Sequence, residues 1–502
     1  MSRRALIFNS ISGSVLFIVN IVVAFYMSPI LVKVLGNRDF GLWELVISVV
    51  GYMGILDLGI GPALVRFVSV ADGKKDLQDL QQTMSTAFIF FVIIGIITSL
   101  LFLVFSIFPH LIIGDESKKI THIGSVFFLF GLNALVLFPM RVFIAGLMGV
   151  QRHYFINNSR AIITVIRSVV IIILLHLYPN YGLIWLVLME SISNTIQCFL
   201  FVVAAKKDKR LPPITISSVS LKKAKELFDF GAKSVVIMVA LRLQNQSVPL
   251  IIANVIGLSH IVFFVMPNRL IEYGKELSTA LGLPLTPYLG TSLGAGNNFE
   301  VEKKWLQTTM SLQIVSMAMP LFILFCGENF LSLWIGPDYA IAGRWPLYIL
   351  LAGLVADSLA TNAVRILTVK AKHGKNAIIW FSLSVLSIPL GIWGARQWSI
   401  AGVALGTTTV AVFGNLISLY MACSVMKVPL LRYFSSTLKP LFFPLLFLGL
   451  SLWISGIFIM PKNYLMLFLQ CTVSGIIYLT TLWIFTLGND IKNNLCKRFI
   501  RS

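Results

Sequence analysis

The chain has 502 residues, 57% hydrophobic and only 12% charged, with a mean hydropathy of +0.88. Soluble domains run near about 25% charged, so this composition excludes a soluble enzyme or scaffold and describes a chain that lives in a bilayer. Its 40 Lys+Arg against 20 Asp+Glu give a net charge of +20, which in a membrane protein holds loops on the cytoplasmic side rather than marking nucleic acid.

Apolar runs of about 18 residues or more, each closed by polar or Pro/Gly breaks, predict membrane-spanning helices. In chain order they fall at 9–35, 41–68, 85–109, 122–149, 161–178, 182–204, 227–256, 260–288, 305–327, 345–369, 376–394, 400–426, 434–460 and 464–487. That is an all-α integral membrane fold of about 14 transmembrane helices. Arg3 and Arg4 precede the first run without a small-residue cleavage site, so it reads as a span and not a removable signal peptide. The five cysteines are scattered, and no CxxC or CxH spacing occurs. Neither a disulfide framework nor a metal site is expected, and no cofactor.

Orientation follows from the loops. With the N-terminus cytoplasmic, roughly 25 basic residues fall inside. They include Lys74 and Lys75, the 206–226 connection, Lys303 and Lys304, Lys370–Lys375, Lys427–Lys439 and the tail. Outside stand only Arg38, Lys118, Lys119, Arg344, Arg396 and Lys462. Both termini are therefore expected in the cytoplasm.

The basic connection 206–226, KKDKRLPPITISSVSLKKAKE, is the longest polar segment and reads as a linker between two bundles, with 221–229 a possible interfacial helix. The expected organisation is an N-terminal bundle (1–205), this linker, and a C-terminal bundle (227–502) holding six helices plus two more. A shift of 221 positions lays VLGNRDFGLW over VIGLSHIVFF and LDLGIGPA over LSTALGLP, placing Gly36 on Gly257 and Gly61 on Gly282. Gly/Pro-broken helices in corresponding places of two halves point to a transporter site. The expected hinge residues are Gly59, Gly61 and Pro62 in the first half, with Gly282, Pro284 and Pro287 in the second.

Charges left within the spans carry the functional reading, because each is expensive in lipid. Arg141 shares a face with Asn133, Arg167 with Arg160 and Thr164, and Glu190 with Asn194 and Gln197. Arg269, Glu272, Tyr273 and Glu276 line another helix, and Asp357, Thr361, Arg365 and Thr368 one more. Polar stripes on this many helices predict a hydrated central cavity between the bundles. Arg141, Arg167, Lys233, Arg242, Arg269 and Arg365 are the candidate anion-binding residues, since guanidinium forks suit phosphate and lysine serves as a point charge. Glu44, Asp57, Glu190, Glu272 and Asp357 are candidates for ion coupling. The alternatives are structural: Glu190 neutralising Arg167, Lys275 pairing along the helix with Glu272, and Asp57 capping backbone freed by the break.

The run VLGNRDFGLWELVISVVGYMGILDLGIGPALVRFVS resembles the first-repeat signature of bacterial polysaccharide transporters. These are the O-antigen and capsule repeat-unit flippases of the multidrug/oligosaccharidyl-lipid/polysaccharide exporter superfamily. The resemblance implies alternating access in the bacterial inner membrane, with an undecaprenyl-diphosphate-linked oligosaccharide moved from the inner to the outer leaflet. It further implies coupling to an H+ or Na+ gradient, and as partners membrane lipid, a polysaccharide polymerase and a chain-length regulator. A peptidoglycan-precursor flippase shares fold and span count and stays open as an alternative. A membrane-embedded polymerase or ligase fits less well, because the longest outer loop, 327–344, is short and no DxD motif occurs. The chain is expected to be a transporter and not an enzyme.

Overall fold

In lipid every backbone N–H and C=O must find its partner within the protein, so long apolar runs coil. The computed structural model describes residues 3–114, 122–282, 285–294, 298–458 and 461–486, and all regular structure among them is helical. Ten of the described helical segments are long and apolar enough to cross a membrane.

By packing, the chain divides after Ile261 into two compact units, Met1–Ile261 and Val262–Ser502. The first contains α1 (Arg3–Met53), α2 (Ile60–Lys74), α3 (Leu77–Ile107), the single turn α4 (His110–Ile113), α5 (Ile123–Gly149), α6 (His153–Leu177), α7 (Gly182–Lys207) and α8 (Leu221–Val255). Helix α8, expected at the head of the second bundle, packs along α1 and α2. The second unit holds α9 (Ile261–Gly282), α10 (Leu285–Gly294), α11 (Asn298–Ser316), α12 (Ala318–Trp334), α13 (Pro337–Leu359) and α14 (Ala363–Val369). It continues with α15 (His373–Met426), the short α16 (Leu430–Thr437), α17 (Phe442–Phe458) and α18 (Tyr464–Phe485).

Local chemistry sets the helix ends. Asp76 accepts from the Asp79 amide to open α3, and Asn463 accepts from the Met466 amide to open α18, each at 2.9 Å. Lys75 and Lys427 close α2 and α15 in the left-handed region. Helix α1 is interrupted at Gly36 (φ 73°, ψ 171°), and the turn before α9 uses Gly257 in a similar conformation (φ 125°, ψ 153°). Such positive φ angles favour glycine. The two turns meet: a Cβ at Gly41, five residues past the first, would overlap the carbonyl of Leu258 in the second.

Between apolar helices in lipid, association rests on close packing rather than on water release. The first core joins Leu64 and Val68 of α2, Met84 and Phe91 of α3, and Phe138 and Val142 of α5. In the second unit Trp305, Tyr433, Ile366 and Leu419 form one cluster, while Leu448, Leu452, Leu467 and Leu482 join α17 to α18. The tightest crossing lies inside α15, which folds back at Trp398 and Ser399 and lays Gly391 and Gly394 directly on Gly406 and Gly402.

The 206–226 connection is not a loose linker. Gln81 donates to the Pro213 carbonyl, and the amides of Thr215 and Ser220 donate to Ser85 and Thr86 of α3. Lys223 bridges Asp79 (2.6 Å) and Glu226 (2.8 Å). The stretch expected as a separate interfacial helix, 221–229, runs unbroken into α8. Asp208, 4% exposed, accepts from Arg210 and pairs with Arg152 at 2.8 Å. Burial opposes its ionisation, but the hydrogen bonds from Arg210 and the charges of Arg210 and Arg152 prevail and hold the carboxyl below the usual aspartate range. A depressed folded-state value means the contribution is full above the unfolded value of about 3.9 and is lost as pH falls through the folded one. Asp208→Asn is expected to cost about 1–2 kcal/mol at neutral pH. Amide exchange across 206–226 should rise in the variant at pH 7, and acid should loosen only the native protein.

Candidate functional site

Three of the charged residues singled out in the first unit, Asp57, Arg141 and Arg242, lie where α1 ends. Its last residues pass into a short 3-10 turn, Gly54–Asp57, and then through two left-handed residues, Leu58 (φ 49°) and Gly59 (φ 74°), into α2. Gly59 is indispensable there because the Gly231 backbone of α8 lies against it. Gly61 and Pro62, expected to share in the break, sit instead in the first turn of α2, where a missing N–H costs nothing. The bend belongs to Leu58 and Gly59.

Asp57 closes this break. One carboxylate oxygen accepts from the Gly61 amide at 2.8 Å, and the other pairs with Arg141 of α5 at 3.1 Å. A carboxylate at a helix N-terminus satisfies an orphan donor and the helix dipole together. The capping alternative for Asp57 is thus realised, with an added partner 84 positions along the chain. Arg141 also lies over the Phe138 ring, 4.4 Å from its centroid, and stays 36% exposed. Arg242 of α8 flanks the Gly54 backbone within electrostatic range of Arg141, and among the described residues it makes no ion pair. Of these two guanidinium groups, Arg141 is the one paired with the carboxylate.

Helix α8 is locked in place by polar contacts to α1. Ser48 donates to the Gln246 carbonyl, and Tyr52 and Ser247 share a hydrogen bond of 2.5 Å. These contacts escaped the sequence reading. The signal available was the run of small residues Ser48, Gly51 and Gly54 at helical spacing, which lets another backbone approach. Elsewhere in this unit Arg167 of α6 is ion-paired to Glu190 of α7, with Asn194 donating to the same carboxylate at 3.3 Å. Glu44 is half-buried on the second half of α1. Lys233 lies on α8, but its side chain is outside the described ones.

The polar residues at the start of α1 dock it against the start of α6. Asn9 donates to the Gln151 carbonyl and accepts from the Tyr154 amide, while Asn157 donates to Ser12.

In the second unit Lys275 pairs with Glu272 along α9 at 2.9 Å, and Arg269 is half-buried beside Tyr273. Asp357 of α13 lies in the field of Lys275, Glu272 and Arg365. Arg365 of α14 donates to the Thr361 carbonyl and, at 3.4 Å, to that of Thr279, and its guanidinium covers Gly282 at the end of α9. A cation there answers the carbonyls freed at a helix C-terminus. Pro284 and the side chain of Pro287 lie outside the described residues.

Each unit thus sets an arginine against a helix end, by different chemistry. The helical arrangement is similar to that of solved MATE family transporters and of a lipid II flippase. It is similar to the structure of "Lipid II flippase MurJ, inward closed conformation" at a TM-score of 0.74 and 14% identity, covering 95% of this chain and 98% of that one. An inward-facing MATE family multidrug transporter matches at a TM-score of 0.65 and 15% identity, over 81% of this chain and 94% of that one. The family model "Polysaccharide biosynthesis protein" matches residues 7–281, more than half the sequence, and the chain belongs to that family. It is also 23% identical over 416 residues to "Uncharacterized membrane protein EpsK" of Bacillus subtilis (strain 168), covering 80% of this chain and 79% of that protein.

Proposed function

We propose that the protein is a flippase that carries an undecaprenyl-diphosphate-linked O-antigen or capsule repeat unit from the cytoplasmic to the periplasmic leaflet by alternating access. The observation that carries the reading is the excess of guanidinium over carboxylate at the broken helix, Arg141 and Arg242 against Asp57, in a chain of this family. A diphosphate is the anion such forks suit. Arg167, Lys233, Arg269 and Arg365 supply further positive charge along the path. Ion coupling to H+ or Na+ falls to Asp57, Glu44 and Glu190 in one half and to Glu272 and Asp357 in the other.

Fourteen spans result when α1 is divided at Gly36, α15 at Ser399, and α8 and α9 are added to the ten. In repeat terms the second half begins at α8, which the matching turns at Gly36 and Gly257 support. Nothing in this reading requires bond-making chemistry, and the inner membrane with both termini cytoplasmic is its setting. Polymerase and chain-length regulator would act on the delivered unit.

A second cargo of the same chemistry is the peptidoglycan lipid precursor, favoured by the likeness in fold to a lipid II flippase. Proteoliposomes loaded on one leaflet with either lipid distinguish the two. Gradient-dependent appearance of the oligosaccharide lipid in the opposite leaflet is the expected result. No movement of either lipid overturns the flippase reading, and movement of the peptidoglycan precursor alone overturns the choice of cargo.

A further inference from the structure

A second polar site lies in the second unit and shares no residue with the candidate site described above. A pocket of about 220 Å³ opens between the first turns of α11 and the short α16. Lys303 and Gln307 contribute from one wall, Arg432 and Ser436 from the other. Glu302 holds Arg432 at 2.9 Å, which fixes one edge of the guanidinium and leaves its remaining donors for a ligand.

Helix α16 is a firm wall. Tyr433 is fully buried, donates to the Leu359 carbonyl at 2.7 Å and packs on Trp305 at 5.5 Å between centroids. On its opposite side Leu431 is 82% exposed, and Phe299 of α11 is 69% exposed at the mouth of the pocket. Large apolar side chains bare beside basic ones, directly before a membrane span, are the mark of a helix lying in the bilayer interface. Lys303, Lys304, Lys427 and Lys439 all stand on the side that the charge asymmetry assigns to the cytoplasm. Anionic lipid is attracted to such clusters.

We propose that this pocket binds the phosphodiester of an anionic glycerophospholipid, with the acyl chains running past Leu431 and Phe299. The volume falls below the roughly 300 Å³ at which drug-sized ligand sites begin, so it suits a headgroup and not an oligosaccharide. The net charge of the pocket selects against zwitterionic lipid, and the apolar rim selects lipid over free phosphate. The site is independent of the cargo path, since it shares no residue with it.

The test is native mass spectrometry of the full chain delipidated in detergent and titrated with phosphatidylglycerol, phosphatidylcholine or inorganic phosphate. Phosphatidylglycerol should be retained preferentially, and Lys303→Gln and Arg432→Gln should each weaken retention about fivefold. Lys303 is exposed and leaves the fold alone, and Ser436→Phe, which fills the pocket, gives a variant that keeps both charges. Equal retention of the two lipids, phosphate binding in place of lipid, or unaltered retention in Lys303→Gln and Ser436→Phe overturns the proposal.

Discussion

Gly59→Val and Gly231→Val should each strongly destabilise the folded protein, although neither residue carries chemistry. At Gly59 a side chain would occupy the left-handed region, at about 1–2 kcal/mol, and its Cβ would enter the Gly231 carbonyl. At Gly231 the Cβ would meet the Leu58 carbonyl oxygen at 2.7 Å and the Gly59 carbonyl carbon at 3.0 Å. Backbone cannot swing aside as a side chain can, so overpacking of this kind adds about 1–3 kcal/mol or more. The sum of about 2–5 kcal/mol at Gly59, and the overpacking of about 1–3 kcal/mol or more at Gly231, are large shares of an ordinary domain's stability. Gly73→Ala, where a Cβ has nothing within 4 Å, is the matched control. Monodisperse yield in detergent and thermal unfolding read the difference. A Gly231→Val protein as stable as the control would mean that α8 does not press on the break.

The second large effect concerns the Asp57 cluster. Arg141→Ala removes the cation from a carboxylate only 13% exposed, and stranding a buried charge costs about 3–5 kcal/mol at full burial. Arg141 is itself partly open to solvent, so the expected loss lies at or below the lower end. Asp57→Asn keeps an oxygen for the Gly61 amide and should leave folding nearly intact. The double variant should then be more stable than Arg141→Ala alone, a coupling that a double-mutant cycle measures directly. Transport separates the roles. Arg242→Glu should stop export with the fold preserved, because among the described residues it has no carboxylate to lose. If Asp57→Asn retains full gradient dependence in proteoliposomes, Asp57 is a cap and has no part in coupling.

Much of this architecture was legible in the residues. Gly36 and Gly59 stand where the chain turns, and the apolar runs are helical, although the expected spans 41–68 and 345–369 are each broken, at Gly54–Gly59 and at Ala360–Asn362. Legibility failed wherever a partner lies far along the chain. Helical spacing placed Arg141 inside the membrane but had no means of pairing it with Asp57. It marked Arg365 as a candidate for an anion but had no means of finding the Thr279 and Thr361 carbonyls to which it donates. The basic 206–226 run was read as a spacer from its composition, yet Ser85, Thr86 and Asp79 tie it down. Polarity reports what a segment could bond to, and tertiary structure decides whether the bond is to water or to the protein.

The glycine crossing within α15 bears on where motion can occur. Gly391 and Gly394 meet Gly402 and Gly406 backbone to backbone, with no side chain between them to change rotamer. Packed interfaces shift by exchanging one discrete side-chain arrangement for another, and here there is none to exchange. The two halves of α15 are therefore expected to travel as a single strut, leaving the bending of any transport cycle to segments such as Leu58–Gly59. A crosslink engineered across that crossing should leave transport untouched, whereas one across the Leu58–Gly59 break should arrest it.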